Sequence, residues 1–343
     1  MKILQVCPLW YPIKQDAPGG IETLLAQLVS SLSELDCDVT LLASGDSTCG
    51  AKVLPAVENN IYQQMKNGSV QEYVYYEQQQ LQLALAHADD FDIIHSHIGP
   101  AGLLLSGIQG YKNKVLHTIH SPIYQDFQWF VQQHPDIWFS TVSKFQADKL
   151  HEHGAQHCHV VHNGIDTDSF SFSRDNGKGL LYLGRIENEK GPDIAIRVAR
   201  ELDCPLTLAG PIVQQDYYDE MILPMLSETI QYIGVVNHRE KNHLLASASC
   251  VLMPSRWDEP FGMVAVEAMA CGTPVVVSQQ GALPEIVKSG ITGYIATEEE
   301  MAEKVKQAFE LDRIAVHRTA AEHYDISVVG QKYFELYQSM LAF

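Results

Sequence analysis

Short apolar runs alternate with helical periods along this chain, and the alternation runs through twice. KILQV, DVTLL, FDIIHSH, KVLHTIH, IWFSTVS and CHVVHNG have the length and β-rich make-up of strands, while IETLLAQLVSSLSEL and KFQADKLHEHG repeat apolar residues at helical spacing. Strands apolar on both faces and separated by helices predict a parallel sheet covered on both sides. A first doubly wound α/β domain is therefore expected over residues 1–168. The polar stretch SFSFSRDNGKG reads as a linker. After it, GLLYLG, PLTLAG, IQYIG, SCVLMP and TPVVVS, with helices over PDIAIRVAREL and around Tyr217 to Leu226, predict a second such domain over 169–325. VVGQKYFELYQSML repeats at helical spacing and predicts a helix over about 326–343 with an apolar face to bury, the first domain being the place assigned to it. A length of 343 residues suits two domains of about 150 residues each. Ligands of open α/β sheets bind beyond the carboxyl ends of strands, so the two domains are expected to face each other across a central cleft, with the informative residues just after strands.

RWDEPFGMVAVEAMACGTPVV, residues 256–276, departs from that simple pattern. Pro260 precedes a nearly saturated apolar helix from about Gly262 to Cys271, and Gly272 with Pro274 stops it before the next strand. Glu259 falls at the mouth of this helix and Glu267 two turns further in, where an unpaired carboxylate is costly. Glu259 could favour the positive helix end and Glu267 could pair with an arginine. Alternatively, the two carboxylates could accept paired hydrogen bonds from vicinal hydroxyls of a sugar and a ribose, with the amides around Phe261, Gly262, Met263 and Val264 holding a phosphate.

Other strand ends carry candidates too. In YLGRIENEKGPDIAI, Arg185 and Lys190 lie between a strand ending at Gly184 and a helix starting near Pro192, where two cations can meet a diphosphate and stabilise its charge as it departs. In DAPGGIETLLAQL, Gly19 and Gly20 sit between the first strand and its helix, where glycine permits a positive φ and a close backbone approach to a ligand. His95, His97, His117 and His120 close two strands. Histidines in such runs are commonly satisfied core residues, and His120, followed by Ser121 and Pro122, is the best exception, with His97 second.

The E-x7-E spacing, with EPFG after the first glutamate and E-A-M-A-x-G-T-P-V after the second, resembles the retaining glycosyltransferases of family four. The resemblance covers nearly the whole chain and implies the GT-B fold, two facing Rossmann-like domains. It implies that Glu259 contacts hydroxyls of a donor sugar and Glu267 the ribose, with the backbone of Phe261 to Val264 against sugar and phosphate. G-R-x-x-x-x-K-G matches the family's diphosphate-binding loop at Arg185 and Lys190, and GGIE matches a segment near the diphosphate and reaction centre. It further implies that His120 faces the donor sugar or acceptor, as a positioning group rather than a general base. Ser143 and the Asn163-Gly164 pair of HNGIDTDSF match weaker family positions, the latter mainly an interdomain turn. The activity implied is sugar transfer from a ribonucleoside diphosphate sugar, UDP-sugar favoured over GDP- or ADP-sugar, to a hydroxyl acceptor. Attack from the front face, with the departing diphosphate helping to take the acceptor proton, is the family's mechanism.

Composition narrows the partners. With 42 acidic and 23 basic residues the net charge is -19, which argues against nucleic acid and anionic lipid. No apolar stretch reaches the roughly 18 residues of a membrane span, and MKILQVCPLWYP is too short for a signal-peptide core, so a cytoplasmic protein is expected. Seven cysteines without a C-x-x-C pair read as reduced thiols. HEHGAQHCHVVH mixes a helix end, a turn and a strand and does not suit zinc. The D-x-D pairs Asp36/Asp38, Asp90/Asp92 and Asp166/Asp168 read as turns, and the resembled fold normally works without metal. No metal and no cofactor are expected, the nucleotide-sugar being a substrate. The polar and acidic region 45–92 lacks a basic amphipathic helix, which favours a soluble glycan or small hydroxyl acceptor. An epimerase or phosphorylase on the same fold, or a non-catalytic nucleotide-sugar-binding protein, is the alternative; a nicotinamide oxidoreductase would need a G-x-G-x-x-G that the chain lacks.

Overall fold

The structure is a computed structural model and describes residues 1–108 and 110–343. Strands pair in parallel in both halves of the chain, and most are buried on both faces. In the first half they are β1 (Lys2–Val6), β2 (Asp38–Ser44), β3 (Lys52–Val57), β4 (Ile93–Ser96), β5 (Val115–Ile119), β6 (Trp138–Thr141) and β7 (His157–Val160), joined through helices α1 (Gly20–Glu34), α2 (Val74–Ala86), α3 (Gln125–Gln133) and α4 (Lys144–Glu152) among others. They form one sheet in the order β3-β2-β1-β4-β5-β6-β7. The second half contains β8 (Leu180–Leu183), β9 (Leu206–Ala209), β10 (Ile230–Tyr232), β11 (Cys250–Met253), β12 (Val275–Val277) and β13 (Gly293–Ile295), with α5 (Pro192–Glu201), α6 (His238–Ser247), α7 (Met263–Ala270), α8 (Met301–Ala308) and α9 (Arg313–Tyr324). Their order is β10-β9-β8-β11-β12-β13. Strand order therefore reverses between β1 and β4 in one sheet and between β8 and β11 in the other, the crevices where open α/β sheets take ligands.

The chain divides into two compact units, Met1–Gly164 with Ile326–Phe343, and Ile165–Asp325. The crossing comes at Gly164, four residues before the boundary that composition suggested, because the turn that follows is tied to the second unit. Ile165 N–H donates to the Tyr324 carbonyl at 2.9 Å, and Thr167 donates from its amide and hydroxyl to the Asp325 carboxylate at 3.2 and 2.5 Å. Asp325 also ends α9.

The last helix, α10 (Ile326–Ala342), returns to the first unit and lies along α1. It buries Val329, Tyr333, Leu336, Tyr337 and Met340 in the cluster that holds Ile3, Leu25, Leu28, Leu32 and Leu41. Close approach depends on Gly330, where a Cβ would fall 2.1 Å from Ser31 Oγ. The second unit has its own core, with Leu180, Tyr182, Ile194, Val198, Leu208, Leu252 and Val276.

One expected helix differs. The segment around Tyr217 to Leu226 is broken into a helical turn at Gln215–Tyr217, a wide π-turn at Tyr218–Ile222 and a tight turn at Leu223–Met225. Pro224 has no N–H and its ring crowds the preceding turn, so a regular helix cannot run through it.

Candidate functional site

In the second unit the candidates gather at the carboxyl ends of β8 and β11. The loop after β8 carries Arg185 and ends in a tight turn, Asn188–Lys190, closed by Gly191 at φ 66°. Glycine is required there twice over, since a Cβ would also meet the Pro254 carbonyl at 2.2 Å. Arg256, just after β11, fixes the loop from the other side. Its guanidinium forks onto the Asp193 carboxylate at 2.8 and 2.7 Å and donates to the Asn188 carbonyl at 2.9 Å. Burial opposes the charge on Asp193, but hydrogen bonds from Arg256, Tyr217 and Arg197 outweigh it and hold its carboxyl far below the ordinary range. Arg256 is thus occupied with positioning.

Lys190 and Glu259 meet on this scaffold. Lys190 Nζ donates to Glu259 Oε1 at 2.5 Å, and Ser255 Oγ reaches the same oxygen at 3.3 Å. The lysine lies over the Trp257 ring at 4.5 Å, with the Arg185 guanidinium at 5.8 Å from that ring. Arg185 pairs with Glu187 at 2.9 Å and remains partly exposed. Glu259 is only 7% exposed, and its backbone is clamped by the next loop, where Gly281 at φ 59° leaves room that a Cβ would take within 2.4 Å of Glu259 N and O.

Glu267, 8% exposed on α7, accepts from Lys241 Nζ of α6 at 2.5 Å. The partner is a lysine where the sequence suggested an arginine, because α6 runs beside α7 and brings Lys241 to it. Between the two glutamates, Gly262 turns the chain at φ 116°, with Leu283 Cδ2 2.8 Å from where a Cβ would stand. Phe261 is buried with its edge toward Tyr324. Met263 and Val264, half-buried, open α7, and amides in a first helical turn have no acceptor within the helix. Each lysine has three donor protons and each carboxylate about four acceptor sites, so the ion pairs leave capacity on both sides for a polyhydroxylated anion.

In the first unit the candidates lie after β1, β4 and β5. Gly19 caps α1 at φ -94°, and neither it nor Gly20 has a positive φ, so the left-handed backbone expected there is absent. A Cβ at Gly19 would instead stand 1.9 Å from Glu22 Oε2, so this glycine makes room for a buried carboxylate; at Gly20 there is open space. Burial pushes the Glu22 carboxyl up.

His97 and His120 are coupled. His97 Nδ1 lies 3.0 Å from His120 Nε2, and His97 Nε2 lies 2.8 Å from the Gln5 amide oxygen. Gln5 Nε2 donates to Tyr337 of α10 at 3.2 Å, and the Tyr337 hydroxyl lies 2.7 Å from His95 Nδ1. His95 Nε2 continues to Thr118 Oγ1 at 2.6 Å, and Thr118 to the Tyr333 hydroxyl at 3.2 Å. Burial lowers all four histidines, His95 and His97 well below the usual value, His117 to about 3 and His120 to about 4. They are neutral at pH 7, and the proton order follows from Gln5. An amide oxygen only accepts, so His97 carries its proton on Nε2 and His120 must donate from Nε2 to the bare His97 Nδ1. His120 Nδ1 is then an unprotonated acceptor, and it has no protein partner. A cavity of about 650 Å³ opens beside His97 and His120.

Ser143 caps α4 by accepting from the Gln146 amide at 3.3 Å, and Gln146 Nε2 in turn holds the Ser121 carbonyl, next to His120, at 2.7 Å. Asn163 is half-buried just before the crossing. Among the described residues no three His, Cys, Asp or Glu side chains converge as metal ligands, and no helix is long and apolar enough to cross a membrane. Sequence reasoning missed Trp257, Lys241 and Gln5. Trp257 stood inside the quoted motif; the other two become visible only through tertiary contacts.

The chain is similar to known proteins. Residues 18–169 match the sequence-family model described as Glycosyltransferase Family 4, and residues 165–323 that described as Glycosyl transferases group 1. A glycogen synthase of Mycobacterium tuberculosis is 32% identical over 225 residues, 62% of this chain and 52% of the relative. The chain thus spans about half the length of that relative. The D-inositol 3-phosphate glycosyltransferase of Mycolicibacterium smegmatis is 25% identical over 372 residues, 92% of this chain and 84% of that one. Among solved structures, a glycosyltransferase involved in avilamycin A biosynthesis is similar with a TM-score of 0.74 and 25% identity, over 99% of this chain and 98% of that one. The Anabaena protein HepE, in complex with UDP and glucose, has a TM-score of 0.73 at 19% identity, over 99% and 100% of the two chains, a likeness of fold. Two parallel-sheet Rossmann-like units with these neighbours make the fold GT-B.

Proposed function

We propose that this chain, which carries two glycosyltransferase domains on the GT-B fold, transfers a sugar with retention from a ribonucleoside diphosphate sugar to a hydroxyl acceptor without a metal or cofactor. One observation carries the reading. Two buried glutamates are each paired to a lysine: Glu259 to Lys190 beyond the carboxyl ends of β11 and β8, where the sheet order reverses, and Glu267, on the helix that follows β11, to Lys241 of α6. In this reading Glu267 accepts from the ribose hydroxyls and Glu259 from hydroxyls of the donor sugar, while the first amides of α7 face the phosphates. Lys190 and Arg185 meet the diphosphate, whose negative charge grows as the bond to the sugar's anomeric carbon breaks. The acceptor oxygen bonds to that carbon from the same face, and its proton passes to the departing diphosphate. UDP-sugar is the first donor to try, since a structure of the same fold was obtained with UDP and glucose.

A panel of UDP-, GDP- and ADP-sugars, scored by thermal shift and by slow release of the nucleoside diphosphate, tests this. At least one donor should raise the melting temperature, and Glu267→Ala should remove most of that shift. A Glu267→Ala protein that responds as the parent does would sink the donor-site assignment. Consumption of donor without any acceptor, beyond slow hydrolysis, would favour an epimerase on the same fold.

A further inference from the structure

The cavity in the first unit has a chemistry of its own. Its volume of about 650 Å³ lies inside the range of roughly 300–1,000 Å³ found for small-molecule sites. Trp10, stacked on Tyr73 at 5.1 Å, forms one wall, and Phe127 and Phe130 also line it. Tyr124 and Trp129 belong to the lining as well and are 64% and 62% exposed. The charged side chains among the lining residues are Glu77 and Asp126; no lysine or arginine is among them. Burial pushes the Glu77 carboxyl up.

The charged groups this cavity offers are two carboxylates, which only accept, and beside them stand neutral indole N–H and phenol O–H groups of Trp10, Trp129, Tyr73 and Tyr124. The matching ligand is rich in donors, carries no negative charge and has flat apolar faces. A sugar ring meets all three requirements, with hydroxyls for the carboxylates and C–H faces for the aromatic rings. A phosphate-bearing ligand would meet two carboxylates and no cation. A purely aromatic alcohol would cover the rings and leave the carboxylates desolvated without partners.

We infer that this cavity binds an uncharged oligosaccharide, one sugar seated beside Trp10 with a hydroxyl at the Glu77 carboxylate and a further sugar against Trp129 or Tyr124. That this glycan is the acceptor rests on the proposed transferase reading; its binding does not.

Equilibrium binding to the full chain without nucleotide provides the test, read by tryptophan fluorescence and saturation-transfer NMR. The probes are neutral di- and trisaccharides of glucose, galactose, mannose and N-acetylglucosamine, their phosphorylated derivatives, and sugar-free phenols. At least one neutral glycan should bind, and its phosphorylated form about tenfold more weakly. Trp129→Ala, at an exposed site, should weaken the neutral glycan by about fivefold with an unchanged melting temperature. Glu77→Gln should narrow the discrimination against phosphate. Absence of binding by every neutral glycan, equal or tighter binding of the phosphorylated forms, or competition by a sugar-free phenol at equal affinity overturns the inference. Donor-induced thermal shifts are read separately, so glycan binding without any donor shift would count against the transferase reading alone, and donor shifts without glycan binding against this inference alone.

Discussion

A carboxylate that is more than nine-tenths buried keeps its charge only beside a partner, and Glu259 and Glu267 each have a lysine. Removing Lys190 therefore does more than delete the diphosphate contact proposed for it, because it leaves Glu259 buried without its ion-pair partner. Lys190→Ala should lower stability by about 1–3 kcal/mol and turnover by about a hundredfold. The double variant Lys190→Ala/Glu259→Gln separates the effects: urea unfolding should recover, and turnover should not. His120 lends itself to a spectroscopic check. Nitrogen-15 NMR at pH 7 should find its proton on Nε2, and Gln5→Leu should mix the two tautomers, since the oxygen that orders them is gone. The same histidines set a pH dependence. Unfolded histidine titrates near 6.5, whereas His120 and His117 stay neutral down to about 4 and 3. The unfolded chain thus binds protons that the folded chain refuses, and stability should fall as pH drops from 6.5 toward 4, with no contribution from these groups above that window. Sequence patterns reached the two glutamates because a helix saturated with apolar residues makes a carboxylate conspicuous. They could not reach Lys241 or Gln5, whose neighbours lie 26 and 92 positions away.

Among the elements, the strands were the most legible, since apolar runs of strand length between helical periods leave few alternatives. Pro224 shows the limit: a proline inside an apolar period breaks the helix, and the pattern around Tyr217 to Leu226 hid it. Of the glycine pair before α1, neither takes the left-handed turn that glycine permits, and Gly19 alone is made necessary, by the Glu22 carboxylate beside it. Helix α10 carries the sharpest expectation at this scale. Its contact with α1 has no room at Gly330, so Gly330→Ala should cost about 1–3 kcal/mol in urea unfolding. Pairing it with Ser31→Gly, which removes the two Ser31 side-chain atoms that the new methyl would strike, should return most of that loss. A neutral outcome for Gly330→Ala alone would mean that α10 can slide away without penalty.

At the scale of the whole molecule, the two units differ in how the chain makes them. The second is one continuous stretch, Ile165–Asp325, with a core of its own; the first is assembled from Met1–Gly164 and Ile326–Phe343. Residues 165–325 expressed alone should fold cooperatively, whereas 1–164 alone should lack a sharp thermal transition and should gain one when 326–343 is restored. The reason is specific, because Tyr333 and Tyr337 fill the first unit's core and close its hydrogen-bond chain at Gln5, His95 and Thr118. That arrangement reaches back to the ribosome. The first unit begins to emerge first and can be completed only after all of the second has been made, a wait on the order of 10–30 s at common translation rates. Throughout it, the apolar face of α1 that α10 will cover is exposed on a nascent chain. Holdase chaperones that shield that face should raise the yield of folded protein more than any agent acting on the second unit.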